Sequence, residues 1–364
     1  MHRKKLCLVI PSLQAGGMER VMNELAGYFC QKDNLEVHLV MYGRIPEIFY
    51  DIPSNLIIHK PESAFNNTFR FVASLGRLIY LRRGIKTINP DSILSFGEYW
   101  NNFVMLSLLG LKFRIYLSDR SQPDKKLTHL HECLRKVLYP KATGIIAQTS
   151  IAKNIFNRIF KHPNIKVIGN PVREICRDSK NKTNTIIREN IVLTIGRMIR
   201  SKHHDRLINI FARINQQDWK LVIIGEDHLK QNNMNHLKQL AKKLCVEERV
   251  VFTGKLNFVD EYYLKSKIFA FTSSSEGFPN VVAEALSAGL PVVAYDCIAG
   301  PSELIINGEN GFLTPVFDDL YFQEKLQLLM ANEDLRSSMS AKAKNAIEKY
   351  QIDKIGELYL DFVM

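Results

Sequence analysis

Two carboxylates, Glu276 and Glu284, lie eight residues apart in a segment that predicts a strand, a turn and the start of a helix. The apolar run 268–272 is typical of a short buried strand, and Pro279 suits the first turn of a helix because proline lacks the N–H that would be unpaired there. Glu276 is therefore expected at a strand end beside a helix N-terminus. Glu284 is expected about one and a half turns inside that helix.

The free N–H groups and macrodipole of a helix N-terminus attract phosphate, and carboxylates accept hydrogen bonds from hydroxyl groups. A sugar nucleotide supplies both partners, since its diphosphate lies between two polyols. The same spacing also fits an ordinary strand–helix connection with two incidental acids. Other residues must decide between these interpretations.

Two cations, Arg197 and Lys202, follow a predicted strand and precede a predicted helix. Arginine through its planar fork and lysine as a point charge can together neutralise a diphosphate. A solvated basic loop is the simpler alternative. The position at the carboxyl end of a strand, on the same edge as Glu276, favours a binding role.

A glycine pair, Gly16 and Gly17, follows the first predicted strand and opens a helix, so the backbone there can approach a ligand closely. The turn does not have the G-x-G-x-x-G pattern, and no acid ends the second strand. A dinucleotide-dependent dehydrogenase is therefore weakly supported. The pair is also compatible with a plain tight loop.

A third polar loop, 117–123, carries Arg120 directly after a predicted strand. Its guanidinium could hold an anionic acceptor group. A surface ion pair with Asp119 or Asp124 explains the same residues equally well.

Short apolar runs and amphipathic segments alternate along the chain, which is typical of parallel sheets covered by helices. Strands are predicted at 6–10, 37–41, 93–96, 115–118, 145–148, 191–195, 221–224, 250–253, 269–272 and 292–295, with helices near 18–31, 69–88, 100–110, 130–140, 150–160, 203–217, 232–245, 258–266 and 280–288. A polar break at 177–184 marks a linker. The predicted fold class is α/β, with two doubly wound Rossmann-like lobes facing a cleft.

The composition, with 46% hydrophobic and 24% charged residues, is that of a globular protein. Six scattered cysteines form no C-x-x-C pair, which indicates neither a zinc site nor a disulfide framework and fits a reducing cytoplasm. No D-x-D pair or His/Asp/Glu cluster is present, so the predicted chemistry needs no metal. The longest apolar region, 103–111, is far shorter than the ~18 residues that span a bilayer.

The net charge of +12 is placed unevenly along the chain. Residues 1–180 hold 27 Lys and Arg against 14 Asp and Glu, which predicts that this half meets an anionic surface. Nucleic acid is disfavoured because no recognised binding motif is present. A membrane leaflet is favoured by a predicted helix that mixes apolar residues with the cations Arg70, Arg77, Arg82, Arg83 and Lys86. A core-packed helix with a solvated basic face is the alternative.

These motifs, taken in order, resemble glycosyltransferase family 4, whose members have the two-lobe GT-B fold. The matching segments cover nearly the whole chain: Ala15–Arg20, Gly169–Pro171, Gly196–Ile208, Glu276–Val293, Gly300–Ile305 and Asn307–Leu313. The most specific part is the spacing of the two glutamates together with Arg197 and Lys202.

The resemblance implies a retaining transfer of a hexose or N-acetylhexosamine from a nucleotide diphosphate sugar, expected to be a UDP-sugar, with no further cofactor. Arg197 and Lys202 would hold the diphosphate, and Glu276 would bind the donor sugar. The match also implies that Gly16 and Gly17 close the cleft and that Glu284 binds the ribose. The remaining substrate-binding residues that it implies are Arg120 and, at the donor sugar, the turn of Gly277, Phe278, Pro279 and Asn280.

The resemblance also implies a lipid-linked or polysaccharide acceptor, as in bacterial lipopolysaccharide or capsule synthesis, and a peripheral location on the inner face of the cytoplasmic membrane. An acceptor-binding domain is expected at 1–175 and a nucleotide-sugar-binding domain at 186–340. A C-terminal helix at 341–364 is expected to return to the first domain.

Two departures from the family pattern concern Arg120, where many relatives have histidine, and Gly225-Glu226-Asp227, which replaces a common Gly-x-Gly. Two other classes of protein stay open. A GT-B-fold sugar-nucleotide epimerase would interconvert donors without an acceptor. A non-catalytic membrane-surface module would need only the basic half of the chain.

Overall fold

The computed structural model describes residues 3–44, 47–62, 67–176, 187–227 and 232–364. The chain divides into two compact units, one formed by Met1–Pro171 with Ile352–Met364 and the other by Val172–Gln351. The second unit thus continues past residue 340, where the sequence analysis places its end. The predicted linker at 177–184 lies outside the described residues.

The first unit alternates strands and helices. Its elements are β1 (Lys4–Ile10), α1 (Gly17–Phe29), β2 (Leu35–Met41), β3 (Ile57–His59), α2 (Arg70–Ile88), β4 (Ser92–Phe96), α3 (Glu98–Ser107), β5 (Ile115–Ser118), α4 (His129–Leu138), β6 (Gly144–Ala147), α5 (Ser150–Phe160) and β7 (Ile165–Val167).

The described strands of the first unit form one parallel sheet in the order β3-β2-β1-β4-β5-β6-β7. All five residues of β4 are buried, as expected for a strand covered on both faces. The chain order reverses between β1 and β4, so the connections that follow these two strands diverge. A crevice at the carboxyl ends of strands is expected at such a switch point.

The second unit repeats this architecture. Its elements are β8 (Ile191–Ile195), α6 (His204–Arg213), β9 (Lys220–Ile224), α7 (Asn233–Lys243), β10 (Val250–Gly254), α8 (Asp260–Lys265), β11 (Ile268–Phe271), α9 (Asn280–Ser287), β12 (Val292–Tyr295), β13 (Gly311–Thr314), α10 (Asp319–Ala331) and α11 (Glu333–Ile347), and α12 (Ile352–Val363) ends the chain in the first unit.

The described strands of the second unit form a parallel sheet in the order β10-β9-β8-β11-β12-β13. Its core joins apolar residues of the sheet to helices α6, α7, α10 and α11, with Phe211, Trp219 and Phe322 among the larger buried side chains. The switch point lies between β8 and β11, which are direct neighbours. The loops after these two strands carry Lys202 and Glu276.

Each predicted strand is present to within two residues of its predicted bounds. The prediction of two Rossmann-like α/β domains is confirmed. Three short strands, β3, β7 and β13, were not predicted. None of the three is buried along its whole length, so none forms the continuous apolar run by which the other strands are recognised.

Candidate active site

The loops after β8 and β11 are tied together by hydrogen bonds, so they form one surface at the switch point of the second unit. The backbone N–H of Ser274 donates to the carbonyl of Ser201 over 2.9 Å. The hydroxyl of Thr272 donates to the carbonyl of Lys202 over 2.8 Å. Residues far apart in sequence therefore share a fixed local frame.

Lys202 and Glu276 face each other across this frame. The ammonium Nζ of Lys202 donates to Oε1 of Glu276 over 2.5 Å, and the two side chains are only 17% and 15% exposed. The aliphatic stem of Lys202 lies against Gly196, where a Cβ would be 3.4 Å from Cδ. In this structure the positive charge of Lys202 is thus neutralised by Glu276.

Arg197 differs from Lys202 in its surroundings. Arg197 is exposed, and its side chain makes no hydrogen bond within the described part of the chain. The arginine fork is therefore open to an anion that reaches this edge of the sheet. The loop thus offers one cation held by a carboxylate and one that faces solvent.

The turn Gly277–Pro279 leads from Glu276 to α9, which begins at Asn280 and has Pro279 as its N-cap. Proline therefore precedes the first helical turn, one residue earlier than the sequence predicts. Phe278 is buried and packs edge-on against Tyr350, with ring centroids 5.6 Å apart. This contact fixes the turn from which backbone groups could reach a ligand.

Glu284 lies in the middle of α9 and is 5% exposed. The hydroxyl of Tyr263, on α8, donates to its Oε2 over 2.9 Å. A carboxylate buried to this extent needs such donors, because burial without them is costly. Tyr263 is therefore a functional candidate that sequence reasoning missed, since no local pattern links it to Glu284.

Two histidines that the sequence analysis passed over follow Lys202 directly. His203 has a φ of +49° as the N-cap of α6, and its Nε2 lies 2.8 Å from the hydroxyl of Ser274. His204 is buried; burial and the nearby charge of Lys202 lower its pKa to about 4. His204 is therefore neutral at physiological pH. The only feature of the sequence that could have indicated this residue is a polar side chain at a core-facing position of the helix.

Gly225, in the segment that departs from the family pattern, supports the same loop. Its φ is +153°, and a Cβ at this position would lie 1.9 Å from the carbonyl oxygen of Gly196. Asp227 accepts a hydrogen bond from the backbone N–H of Met234 over 3.0 Å, near the start of α7. The backbone after β9 is therefore packed directly against the backbone that precedes Arg197.

Gly16 and Gly17 lie in the first unit at the switch point between β1 and β4. Gly16 is the N-cap of α1 and Gly17 its first residue. Gly97, after β4, has a φ of +98°, and a Cβ there would be 3.1 Å from the sulfur of Met18. The glycine turn and the start of α3 are therefore in close contact.

Glu98, the first residue of α3, is a buried carboxylate that the sequence analysis did not single out. Ser121 donates a hydrogen bond of 2.5 Å to its Oε1. Burial acts to raise the pKa of this carboxyl group, but the bond from Ser121, backbone donors and the charge of Lys125 hold the pKa below its usual range. Glu98 is thus an ionised acceptor beside the Arg120 loop.

Arg120 makes neither of the predicted ion pairs. Its guanidinium donates to Oδ1 of Asn170 over 2.6 Å and to the hydroxyl of Tyr359 over 3.2 Å, and it stacks over the ring of Phe96 at 3.4 Å from the centroid. Asp119 instead pairs with the buried Arg135. These contacts hold the Arg120 side chain within the first unit, and its contact with an acceptor stays a prediction.

The described residues hold neither a metal-binding cluster nor a membrane-spanning helix. No group of three or more His, Cys, Asp or Glu side chains there is placed to hold a metal ion. No helix in the same part of the chain is long and apolar enough to cross a bilayer.

The two units, each with its loops gathered at a switch point, define the GT-B class of fold. HepE from Anabaena in complex with UDP superposes with a TM-score of 0.79, at 17% identity and covering 98% of each chain. The chain is 28% identical to the amylovoran biosynthesis glycosyltransferase AmsD of Erwinia amylovora over 93% of both sequences.

A second relative is the N-acetylgalactosamine-N,N'-diacetylbacillosaminyl-diphospho-undecaprenol 4-alpha-N-acetylgalactosaminyltransferase of Campylobacter jejuni, 27% identical over 99% of this chain and 100% of the relative. Residues 177–346 match the model of the family described as glycosyl transferases group 1. Together these comparisons show that the chain is similar to bacterial glycosyltransferases along nearly its whole length, and to glycosyl transferases group 1 over residues 177–346.

Proposed function

We propose that this chain is a retaining glycosyltransferase that transfers a hexose or N-acetylhexosamine from a UDP-sugar to a lipid-linked acceptor in bacterial surface-glycan synthesis. The observation that carries the proposal is the pairing of Lys202 with Glu276 beside the exposed Arg197 at the switch point of the second unit. These groups match the two needs of a sugar nucleotide, cations for its diphosphate and an acceptor for its sugar hydroxyls.

In the proposed reaction the bond between the sugar and the diphosphate breaks, and the leaving UDP gains negative charge. Arg197 and Lys202 stabilise that charge more in the transition state than in the bound substrate. Glu276, released from Lys202 by the incoming diphosphate, accepts hydrogen bonds from the donor sugar and stabilises positive charge that develops on its ring. The binding of donor thus exchanges one partner of Lys202 for another.

Retention is supported by the α-linkage that the Campylobacter relative is named for, because an α product from an α-linked donor keeps the donor's configuration. The departing phosphate oxygen accepts the proton of the acceptor hydroxyl on the same face of the sugar. Glu284, held by Tyr263, binds the ribose. UDP is the proposed nucleotide because it is the ligand in the HepE complex.

The acceptor is proposed to be bound through the first unit, whose residues include 25 Lys and Arg against 15 Asp and Glu. Helix α2 exposes Phe71, Val72 and Leu75 in its first half and Arg83 and Lys86 in its second half. Apolar and cationic groups on one helix surface suit an anionic leaflet that presents a lipid-linked substrate. The cytoplasmic face of the membrane is therefore the proposed location.

Two of the cations assigned to this surface by the sequence analysis are engaged elsewhere. Arg77 is 7% exposed, and Arg82 donates to the carbonyls of Ser107 and Leu109. The prediction of a basic face that includes them is wrong, because both guanidinium groups turn toward the protein. The leaflet contact is proposed from the remaining exposed residues.

The experiment incubates purified protein with UDP-N-acetylgalactosamine or UDP-hexoses and a diphospho-undecaprenol-linked saccharide, and determines the product's anomeric configuration by NMR. An α-linked product supports retention, whereas a β-linked product rejects it. Interconversion of donors without acceptor would instead indicate the epimerase. Sedimentation with phosphatidylglycerol vesicles, comparing wild type with Leu75→Ser, tests the leaflet contact separately, since that substitution lies outside the donor site.

A further inference from the structure

The loop after β2 touches the glycine turn through a single hydroxyl group. The hydroxyl of Tyr50 accepts a hydrogen bond from the backbone N–H of Gly16 over 3.0 Å and donates one to the carbonyl of Gly16 over 2.8 Å. A phenol has one O–H donor and can accept through its oxygen. Tyr50 thus uses both functions on the two peptide groups of one residue.

Residues 47–51, here called the strap, run beside residues 13–16 through further hydrogen bonds. The N–H of Phe49 donates to the carbonyl of Leu13 over 2.9 Å, and the side-chain amide of Gln14 donates to the carbonyl of Glu47 over 2.6 Å. The amide of Asn23, on α1, donates to the carbonyl of Asp51 over 3.2 Å. The strap is therefore anchored on both sides of Tyr50.

The glycine turn needs such an external anchor. Two adjacent glycines have more backbone freedom to lose on ordering than any other pair. A Cβ at Gly16 would lie 2.3 Å from the carboxylate of Glu19, so the position admits no stiffer residue without a shift of that side chain. Burial raises the pKa of Tyr50, so its hydroxyl stays protonated and keeps its donor function.

We infer that Tyr50 is a positioning residue, whose hydroxyl holds the Gly16–Gly17 backbone in one conformation at the switch point of the first unit, where a substrate of that unit would bind. The inference rests on the proposed function, in which the first unit binds the acceptor. If only a fraction of molecules holds the competent conformation, the apparent affinity falls by that fraction. Loss of the hydroxyl therefore acts on acceptor KM more than on kcat.

The test compares wild type, Tyr50→Phe and Tyr28→Phe by amide hydrogen exchange and by steady-state kinetics. Tyr28 is a matched control, because its hydroxyl bonds Glu357 elsewhere in the same unit. In Tyr50→Phe we expect amide exchange at residues 16–18 to accelerate about tenfold, because the local structure loses the net free energy of at least one hydrogen bond. Acceptor KM should rise about tenfold and kcat change less than threefold, whereas Tyr28→Phe should change neither.

Unchanged exchange at residues 16–18 in Tyr50→Phe would overturn the inference. Faster exchange with unaltered kinetics would also overturn it, since the conformation of the turn would then have no effect on acceptor binding. If wild type turns over no donor, the proposed function fails, while the exchange result still decides whether Tyr50 holds the turn. Asn23→Ala, which loosens the strap but keeps the hydroxyl, should show a smaller change in the same direction and covers a failure of Tyr50→Phe to fold.

Discussion

The pairing of Lys202 with Glu276 predicts that removing the carboxylate strengthens the binding of UDP while abolishing transfer. In Glu276→Gln the lysine loses its ionised partner, so the diphosphate no longer competes with a carboxylate for Nζ. Ordinary active-site substitutions weaken both binding and turnover. An opposite effect on the two quantities is therefore diagnostic of this arrangement.

The size of the effect follows from the geometry. A hydrogen bond of 2.5 Å between charged, mostly buried groups contributes about 1.5–3 kcal/mol net. Part of that free energy is recovered when a neutral amide replaces the carboxylate, so we expect a gain of about 1.4 kcal/mol. That gain corresponds to about a tenfold lower Kd for UDP. Lys202→Ala should raise the Kd by about tenfold or more, because a cation is lost.

Isothermal titration with UDP, in buffer containing EDTA, measures both changes directly. Glu261→Gln is the matched control, since it also removes a glutamate paired with a lysine, Lys265, on a helix of the same unit. The control should bind UDP as wild type does. If Glu276→Gln binds UDP equally or more weakly than wild type, Lys202 does not exchange Glu276 for phosphate and the reasoning is refuted.

Three further predictions concern the residues around this pair. His204 has a pKa of about 4 in the folded protein against an ordinary 6.5, so its contribution to stability is complete above pH 6.5 and is lost as pH falls toward 4. Urea unfolding should show a loss of about 2 kcal/mol between pH 7 and pH 5 in wild type and none from this residue in His204→Val. Equal losses in both proteins would contradict the prediction. Tyr263→Phe removes one hydrogen-bond donor from the buried carboxylate of Glu284, so the KM for the UDP-sugar should rise about tenfold with little change in kcat. An unchanged KM would show that Glu284 does not bind the ribose. Gly225→Ala places a Cβ against the carbonyl oxygen of Gly196, so both the melting temperature and the affinity for UDP should fall. A variant with wild-type values would show that Gly225 does not hold the loop that carries Arg197.

Much of the fold could be predicted because most of its strands are largely buried and therefore form continuous apolar runs in the sequence. Strands β8 and β12 have the predicted bounds, Ile191–Ile195 and Val292–Tyr295. The short edge strands β3 and β13 were not predicted, because neither is buried along its whole length. The end of the second unit was misplaced because α11 and α12 form one uninterrupted helical pattern in sequence, whereas a 3-10 turn at Glu348–Tyr350 separates them.

The candidate site was predictable where its residues follow strands, and not where they act through distant partners. Lys202 and Glu276 are 74 residues apart, yet their strands are neighbours, so topology implies their proximity but not their bond. The partners of Arg120 lie 50 and 239 residues away, at Asn170 and Tyr359. No spacing rule connects such residues, and the same holds for Tyr50 and Gly16.

The most direct test of the central claim is UDP release from a UDP-sugar, followed with and without a lipid-linked saccharide acceptor in the presence of EDTA, for wild type and Lys202→Ala. If the chain is the proposed transferase, release requires the acceptor, survives EDTA and falls at least tenfold in the variant. Release that stops with EDTA would contradict metal-independent chemistry. Intact donors under every condition, with equal vesicle binding by both proteins, would contradict the transferase itself.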